Sequence, residues 1–338
     1  MGVDRGCRMA SSTGAELPDC RVRSRRPRFP RSRVAPSQVD IIDPSTEPPD
    51  QDSCPACARP CRGNERVWQV ETPRGTNPWT RCPNCQSYFL GVSYDLDDEV
   101  AHTETLPWGQ LEAGCDLNLF KHRMYRAVLR LMARPAPPPA RLLDVGCSFG
   151  GFAFEATRAG YDVYGMDITP ASVEYVRSLG VSAECCSTPE DLRDIPDGPL
   201  DVVTCLDCHS LWPDQPAQLQ AIHRRLRPGG HLVMRVVDKS WMFAIGRRLV
   251  WLSPRLANQM MRGAVNDNRF SMPVHTLRRQ LEDHGFEVVA ISIWAAMHSD
   301  ETRWPAKASF ALGAALWPVL HRNVAPGAVL VARRGPGS

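Results

Sequence analysis

The sequence predicts an α/β protein built on an open, doubly wound parallel sheet, preceded by a small cysteine-closed ribbon and a disordered leader. Three observations predict it. Arg141 to Ile168 reads RLLDVGCSFGGFAFEATRAGYDVYGMDI, an apolar strand, a glycine-rich turn, a helix and a second strand ending on an acid. Asp144 closes the first strand and Asp167 the second, 23 residues later, the arrangement of a nucleotide-binding βαβ half. Upstream, two Cys-x-x-Cys units, Cys54 with Cys57 and Cys82 with Cys85, stand 24 residues apart.

Each residue type in the turn has a physical reason. Gly146, Gly150 and Gly151, with the small Ser148 between them, let the backbone bend sharply and let a ligand come close. The helix from Phe152 to Ala159 opens on unpaired N–H groups and is closed by Gly160. Asp167, at the end of Val163 to Met166, can accept hydrogen bonds from both hydroxyls of a ribose.

The cysteine pairs carry the second signal. A Cys-x-x-Cys unit puts two thiolates on one tight turn, and two such knuckles close a tetrahedral Zn²⁺ site. Cys54, Cys57, Cys82 and Cys85 are the expected ligands, with Val67 to Val70 and Ser87 to Leu90 as ribbon strands and Cys61 as a spare thiol. A closed Cys₄ site stabilises a small fold and leaves no open position for catalysis. A redox pair is the competing reading.

Composition sets the outer limits. The chain has 338 residues, 43% of them hydrophobic, enough for a substantial core. A net charge of +3 is too near neutral to imply a nucleic-acid or membrane partner. Thirteen cysteines without a signal peptide point to the cytosol. The longest apolar run, Ala308 to Leu320, is short for a membrane span. Organisation reads as a leader over 1–50, a zinc ribbon over 51–92, a helical connector over 93–139 and the α/β domain over 140–338, with an insertion at about 240–272. The connector holds a helix from Asp116 to Met132, with Leu117, Phe120, Met124, Val128 and Leu131 on one face. Beyond the insertion, a helix from Pro273 to His284, a strand from Phe286 to Ser292 and a final strand from Ala328 to Ala332, antiparallel in a fold of this class, are expected.

DVGCSFGG resembles motif I of class I S-adenosylmethionine (SAM)-dependent methyltransferases, D-x-G-x-G-x-G, with Ser148 in place of the middle glycine. Asp201 to Asp214 resembles the fourth strand and following loop of those enzymes, and His223 to Val236 their Leu-x-Pro-Gly-Gly turn into the fifth strand. The whole arrangement resembles a bacterial group in which a zinc ribbon ending C-x-x-C-G-L-x-[FY] precedes the SAM domain; here the second knuckle reads CPNCQSYF. The resemblance implies a Rossmann-like sheet, SAM as cofactor and a small-molecule acceptor. It places Asp144 and the Gly146 turn, with Ser148 and Gly150, near the methionine moiety, Asp167 on the ribose and the Leu206 backbone against the cofactor.

After the fourth strand, Asp207 and His209 are the local base candidates, although many relatives read Glu-His where this chain has Ser210 and Leu211. Cys208 lacks the Pro-Cys context of cytosine-C5 methyltransferases, and no Asn-Pro-Pro-Tyr sequence follows, as amino-methylating enzymes of nucleic-acid bases would have. His102, Trp108, Tyr125 and the segment Trp241 to Trp251 are candidates to line an acceptor pocket, with core packing the equal alternative for the aromatics. Two rival functions stay open: an RNA methyltransferase using the Arg21 to Arg33 run, and a zinc-bearing interaction protein that has lost catalysis. The oligomeric state is left open.

Overall fold

Parallel strands buried on both faces read as unbroken apolar runs, and the strand over Arg141–Val145 is such a run, its last four residues all buried. In the computed structural model it is an interior strand of a seven-stranded sheet. Residues 39–40, 53–60, 65–72, 75–91, 95–105, 115–192, 198–264, 268–298, 304–320 and 323–335 are described. The Arg21 to Arg33 run, Cys61, Trp108 and the side chain of His102 lie outside them.

The N-terminal elements are β1 (Val39–Asp40), β2 (Glu65–Thr72), β3 (Gly75–Arg81) and β4 (Tyr88–Leu90), all paired antiparallel. β1 falls within the stretch expected to be structureless; Val39 pairs with Val70, so the two-residue strand extends the ribbon hairpin. Helices α1 (Leu96–Thr105) and α2 (Cys115–Met132) follow. Met124, Val128 and Met132 of α2, spaced four apart, are buried against the main core, as the 3.6-residue period requires.

The second sheet is built from β5 (Arg141–Val145), α3 (Gly151–Arg158), β6 (Asp162–Asp167), α4 (Pro170–Ser178), β7 (Ser182–Cys185), β8 (Leu200–Leu206), α5 (Gln215–Arg225) and β9 (Leu226–Val237). The chain then runs through α6 (Ser240–Leu249), α7 (Pro254–Ala264), β10 (Phe270–Ser271), α8 (Val274–Asp283), β11 (Phe286–Ser292), α9 (Trp304–Leu320) and β12 (Gly327–Arg334). Strand order is β11-β12-β9-β8-β5-β6-β7, parallel except for β12, which is antiparallel to both neighbours. β5 pairs β6 on one side and β8 on the other, so the winding reverses there and the ligand crevice opens at the carboxyl ends of these strands. Among the described residues no helix is long and apolar enough to cross a membrane.

The insertion is α6, α7 and β10, and it builds onto the first sheet. β10 pairs with β4, Phe270 opposite Phe89, so the first sheet has five strands in the order β1-β2-β3-β4-β10. Phe243 of α6 is fully buried, its ring stacked on Tyr88 at 4.6 Å and against Trp79 at 5.0 Å. Ala257, Met261 and Ala264 of α7 complete this second core. Within Trp241 to Trp251, Phe243 follows the core-packing alternative, and Trp251 is 92% exposed at the bend between α6 and α7. Apolar area between two modules is buried by aromatics first, because they remove the most surface from water.

Candidate active site

The turn after β5 folds back on the next strand. The N–H groups of Gly146 and Cys147 both donate to the Met166 carbonyl, at 2.8 and 2.9 Å. Gly146 (φ +69°) and Gly150 (φ +74°) take left-handed conformations, and so does Ser148 (φ +49°), the position where the family pattern has glycine. A Cβ on Gly146 would come 2.5 Å from the Cβ of Cys208, so this turn touches the loop after β8.

Asp167 ends β6 beside that turn. Its Oδ2 accepts from the Ser148 N–H at 2.8 Å and its Oδ1 from the Thr169 N–H at 2.9 Å. Each oxygen keeps lone-pair capacity for a further donor, and a vicinal diol offers two. Burial raises its carboxyl above the usual range, while these two N–H bonds pull the other way. This pair of acceptor oxygens fits the two hydroxyls of a ribose.

Asp144 is 2% exposed, and its Oδ1 accepts from Thr204 Oγ1 at 2.7 Å. Burial pushes its carboxyl up to about 7, with the Thr204 bond acting downward and the charge of Asp167 upward.

At the carboxyl end of β8, Leu206 pairs in register with Arg235 of β9, and Asp207 follows in a left-handed conformation (φ +73°). Three basic side chains converge on Asp207. Arg235 Nη1 donates to Oδ1, Lys121 Nζ donates to Oδ2 at 2.9 Å, and His298 Nε2 lies 3.1 Å from Oδ2. Burial alone would raise the Asp207 carboxyl, but Arg235, Lys121 and His298 outweigh it and hold the group well below the usual carboxylate range. The guanidinium is itself pinned, through Nε and Nη2, to the Ala296 carbonyl. Tyr125, one helical turn after Lys121 on α2, is 9% exposed and feels the charges of Asp144 and Asp207.

His209, the other base candidate, sits elsewhere. It is 0% exposed, between Trp212 and Phe270 in edge-on contacts with ring centroids 6.4 and 5.5 Å away. Neither ring nitrogen has a hydrogen-bond partner among the described residues. Burial first, and Arg235 after it, lower the imidazole to about 3, against the upward pull of Asp207.

The four cysteines of the ribbon come together. Their sulfurs all lie within 4.8 Å of one another, with Cys54 to Cys85 and Cys57 to Cys82 both at 3.8 Å. A tetrahedron with Zn–S bonds of about 2.3 Å has edges of about 3.8 Å, so the set fits zinc. The knuckles match in backbone as well. The N–H groups of Ala58 and Gln86 donate to the Cys54 and Cys82 carbonyls, and both residues are left-handed at φ +55° and +65°. Gln86 thus carries a side chain where the family pattern has glycine.

The knuckles are tied to the second sheet. Gln280 of α8 donates to the Ala56 carbonyl and accepts from Gln215 Nε2 at 2.6 Å; the Gln215 N–H donates to the Pro55 carbonyl at 2.9 Å. Thr276 Oγ1 donates to the Cys85 carbonyl at 3.0 Å.

A family described as the methyltransferase domain matches residues 118–291, a little over half of the chain. The chain therefore belongs to that family, and with its sheet order and glycine turn it is a class I SAM-dependent methyltransferase. It is similar to the ubiquinone biosynthesis O-methyltransferases of Alkalilimnicola ehrlichii and Pectobacterium atrosepticum, 34% identical to each over 113 residues. These matches cover 31% of this chain and 46% and 47% of the relatives, so the chain spans about half the length of the curated relatives it matches. Among solved structures it resembles magnesium protoporphyrin IX methyltransferase from Synechocystis PCC 6803, with 15% identity and a TM-score of 0.48 over 71% of this chain and 100% of the other.

Proposed function

We propose that the protein transfers a methyl group from SAM to an O, N or C nucleophile of a small metabolite. The observation that carries this reading is the buried Asp167 carboxylate at the end of β6, fixed by the Ser148 N–H of the glycine turn at the point where the winding reverses. The names of the similar O-methyltransferases support a small organic acceptor.

Bound SAM would supply an activated methyl on a sulfonium; the chain's own task is alignment and exclusion of water. Asp167 would take the ribose, Asp144 with the turn of Gly146, Ser148 and Gly150 the methionine end, and the Leu206 backbone the cofactor's flank. Asp207 is assigned to orientation rather than proton removal, because three basic partners already hold it as a carboxylate. His209 is assigned to the core, because its burial leaves an acceptor no approach to either nitrogen. Zinc on Cys54, Cys57, Cys82 and Cys85 would hold the ribbon closed and take no part in the chemistry.

Calorimetric titration of the purified chain with SAM, beside Asp167→Ala, tests the reading. Micromolar binding lost in the variant is the expected outcome. Absence of binding by folded, zinc-loaded protein would sink it.

A further inference from the structure

The base question points to the acceptor's own chemistry. Around the carboxyl end of β8 the described residues offer no good proton acceptor. Asp207 is committed to three basic groups, and His209 is sealed between rings. His298 has its Nε2 engaged at 3.1 Å with the same Asp207 carboxylate, and burial, then Arg235, lower its imidazole to about 4. What the place does offer is positive charge. Arg235 and Lys121 bring two permanent cations to one carboxylate, Asp207. The nearby Asp144 is turned into the sheet, bonded to Thr204 and 2% exposed, and Tyr125 is a neutral phenol.

The two cations differ. Arg235 is 5% exposed and bound on both sides, to Asp207 and to the Ala296 carbonyl. Lys121 is reachable: its side chain is 30% exposed, and among the described residues a single ammonium N–H is given, to Asp207 Oδ2. An ammonium has three donors, so two remain to face an incoming group. Asp207 fixes where they point, and with Arg235 on the same carboxylate the pair of cations exceeds the Asp207 charge by one, offset only in part by Asp144, whose carboxyl Lys121 also influences.

We propose that the acceptor is an acidic small molecule, a phenol, enol or carboxylic acid, bound as its oxyanion to Nζ of Lys121, with Asp207 as the positioning residue. The assignment deepens the methyltransferase reading and rests on it. The proton is left to solvent as the acceptor binds. The oxyanion's electron pair forms the new O–C bond while the S–C bond breaks and its pair returns to sulfur. The negative charge of the acceptor and the positive charge of the sulfonium disappear together, so no enzyme base is needed. An aliphatic alcohol, too weak an acid to bind as its oxyanion, would need a base on the enzyme, and among the described residues none is placed here for it; a protonated amine would be repelled by Lys121 and Arg235.

The test uses the full chain and methyl-labelled SAM against a panel of phenols, enols, carboxylic acids, aliphatic alcohols and amines. Binding of S-adenosylhomocysteine is measured in parallel by calorimetry. Transfer is expected to acidic members alone. Lys121→Met should raise KM for them about 10- to 100-fold, the worth of a hydrogen bond to a charged group, with S-adenosylhomocysteine binding unchanged. Lys121→Arg, which keeps the cation and its donors, should recover most of that loss and guards against a folding defect. Transfer to amines or alcohols overturns the proposal, as does an unchanged KM in a folded Lys121→Met, or no transfer to any acid by protein that binds S-adenosylhomocysteine. Failure to bind S-adenosylhomocysteine overturns instead the methyltransferase reading beneath it.

Discussion

The Cβ of Cys208 occupies the place that a side chain on Gly146 would need, 2.5 Å from where such a Cβ would stand. Cys208 is fixed there by its thiol, which donates to the Val145 carbonyl at 3.0 Å. The glycine turn and the loop after β8 are therefore packed as one unit, and Gly146 serves that contact as well as any ligand.

Gly146→Ala meets two penalties, a left-handed backbone and a collision with Cys208. It should lose about 2 to 4 kcal/mol of stability. Trimming the obstacle with Cys208→Gly would recover the steric part and leave the backbone part. Denaturant unfolding of the two single variants and the double variant separates them; strict additivity would refute the contact.

His209→Phe keeps an aromatic ring against Trp212 and Phe270 and removes the titrating group. Methyl transfer is expected to fall less than about threefold, where loss of a general base would cost about 100-fold or more. A pH signature accompanies it. A histidine lowered to about 3 in the fold, against about 6.5 unfolded, adds stability above pH 6.5 that drains away as pH falls toward 3. The variant should therefore gain on wild type at pH 5 in thermal melts.

Asp144 works in the opposite direction. Its folded carboxyl titrates at about 7, against about 3.9 unfolded, so the fold binds the extra proton in between. This group's contribution to stability is greatest below pH 4, declines as pH rises to about 7 and is level beyond. Asp144→Asn should remove that decline, because an amide oxygen can still accept from Thr204. Equal pH slopes for the two proteins would contradict the assignment.

Gln280→Ala strips the Ala56 carbonyl and the Gln215 amide of a shared partner between α8 and the first knuckle. Leaving two buried polar groups unpaired should cost about 1 to 3 kcal/mol. With zinc bound, a chelator should remove the metal faster from this variant than from wild type, which a colorimetric zinc indicator would follow.

Much of this was legible in local sequence. β11 runs over Phe286–Ser292, and the two knuckles, the glycine turn and the last strand fall where periodicity and spacing put them, the antiparallel direction of that strand coming from the fold class. Left-handed Ser148 and Gln86 occupy positions where the family patterns carry glycine, and each shows why glycine suits the place. The basic cluster was hidden because its members lie 28, 86 and 91 residues from Asp207. One signal was present: Arg235 interrupts the apolar run LVMRVV, and a buried arginine in a central strand calls for a buried acid. The surroundings of His209 were not legible, because the same loop sequence serves an exposed ring or a packed one, and its contact with Phe270 comes from sixty-one residues on.

The two-residue strand β10 joins parts of the chain that lie far apart in sequence. It leaves the end of α7, lies on β4, and through the Ser271 hydroxyl accepts the Lys239 N–H just beyond β9. One sheet is thus stitched to the other by chain that belongs to the α/β half. Cutting away the ribbon as a dispensable appendage would strand β10 with an open edge and uncover Phe243, so the two halves should melt together and be inherited together.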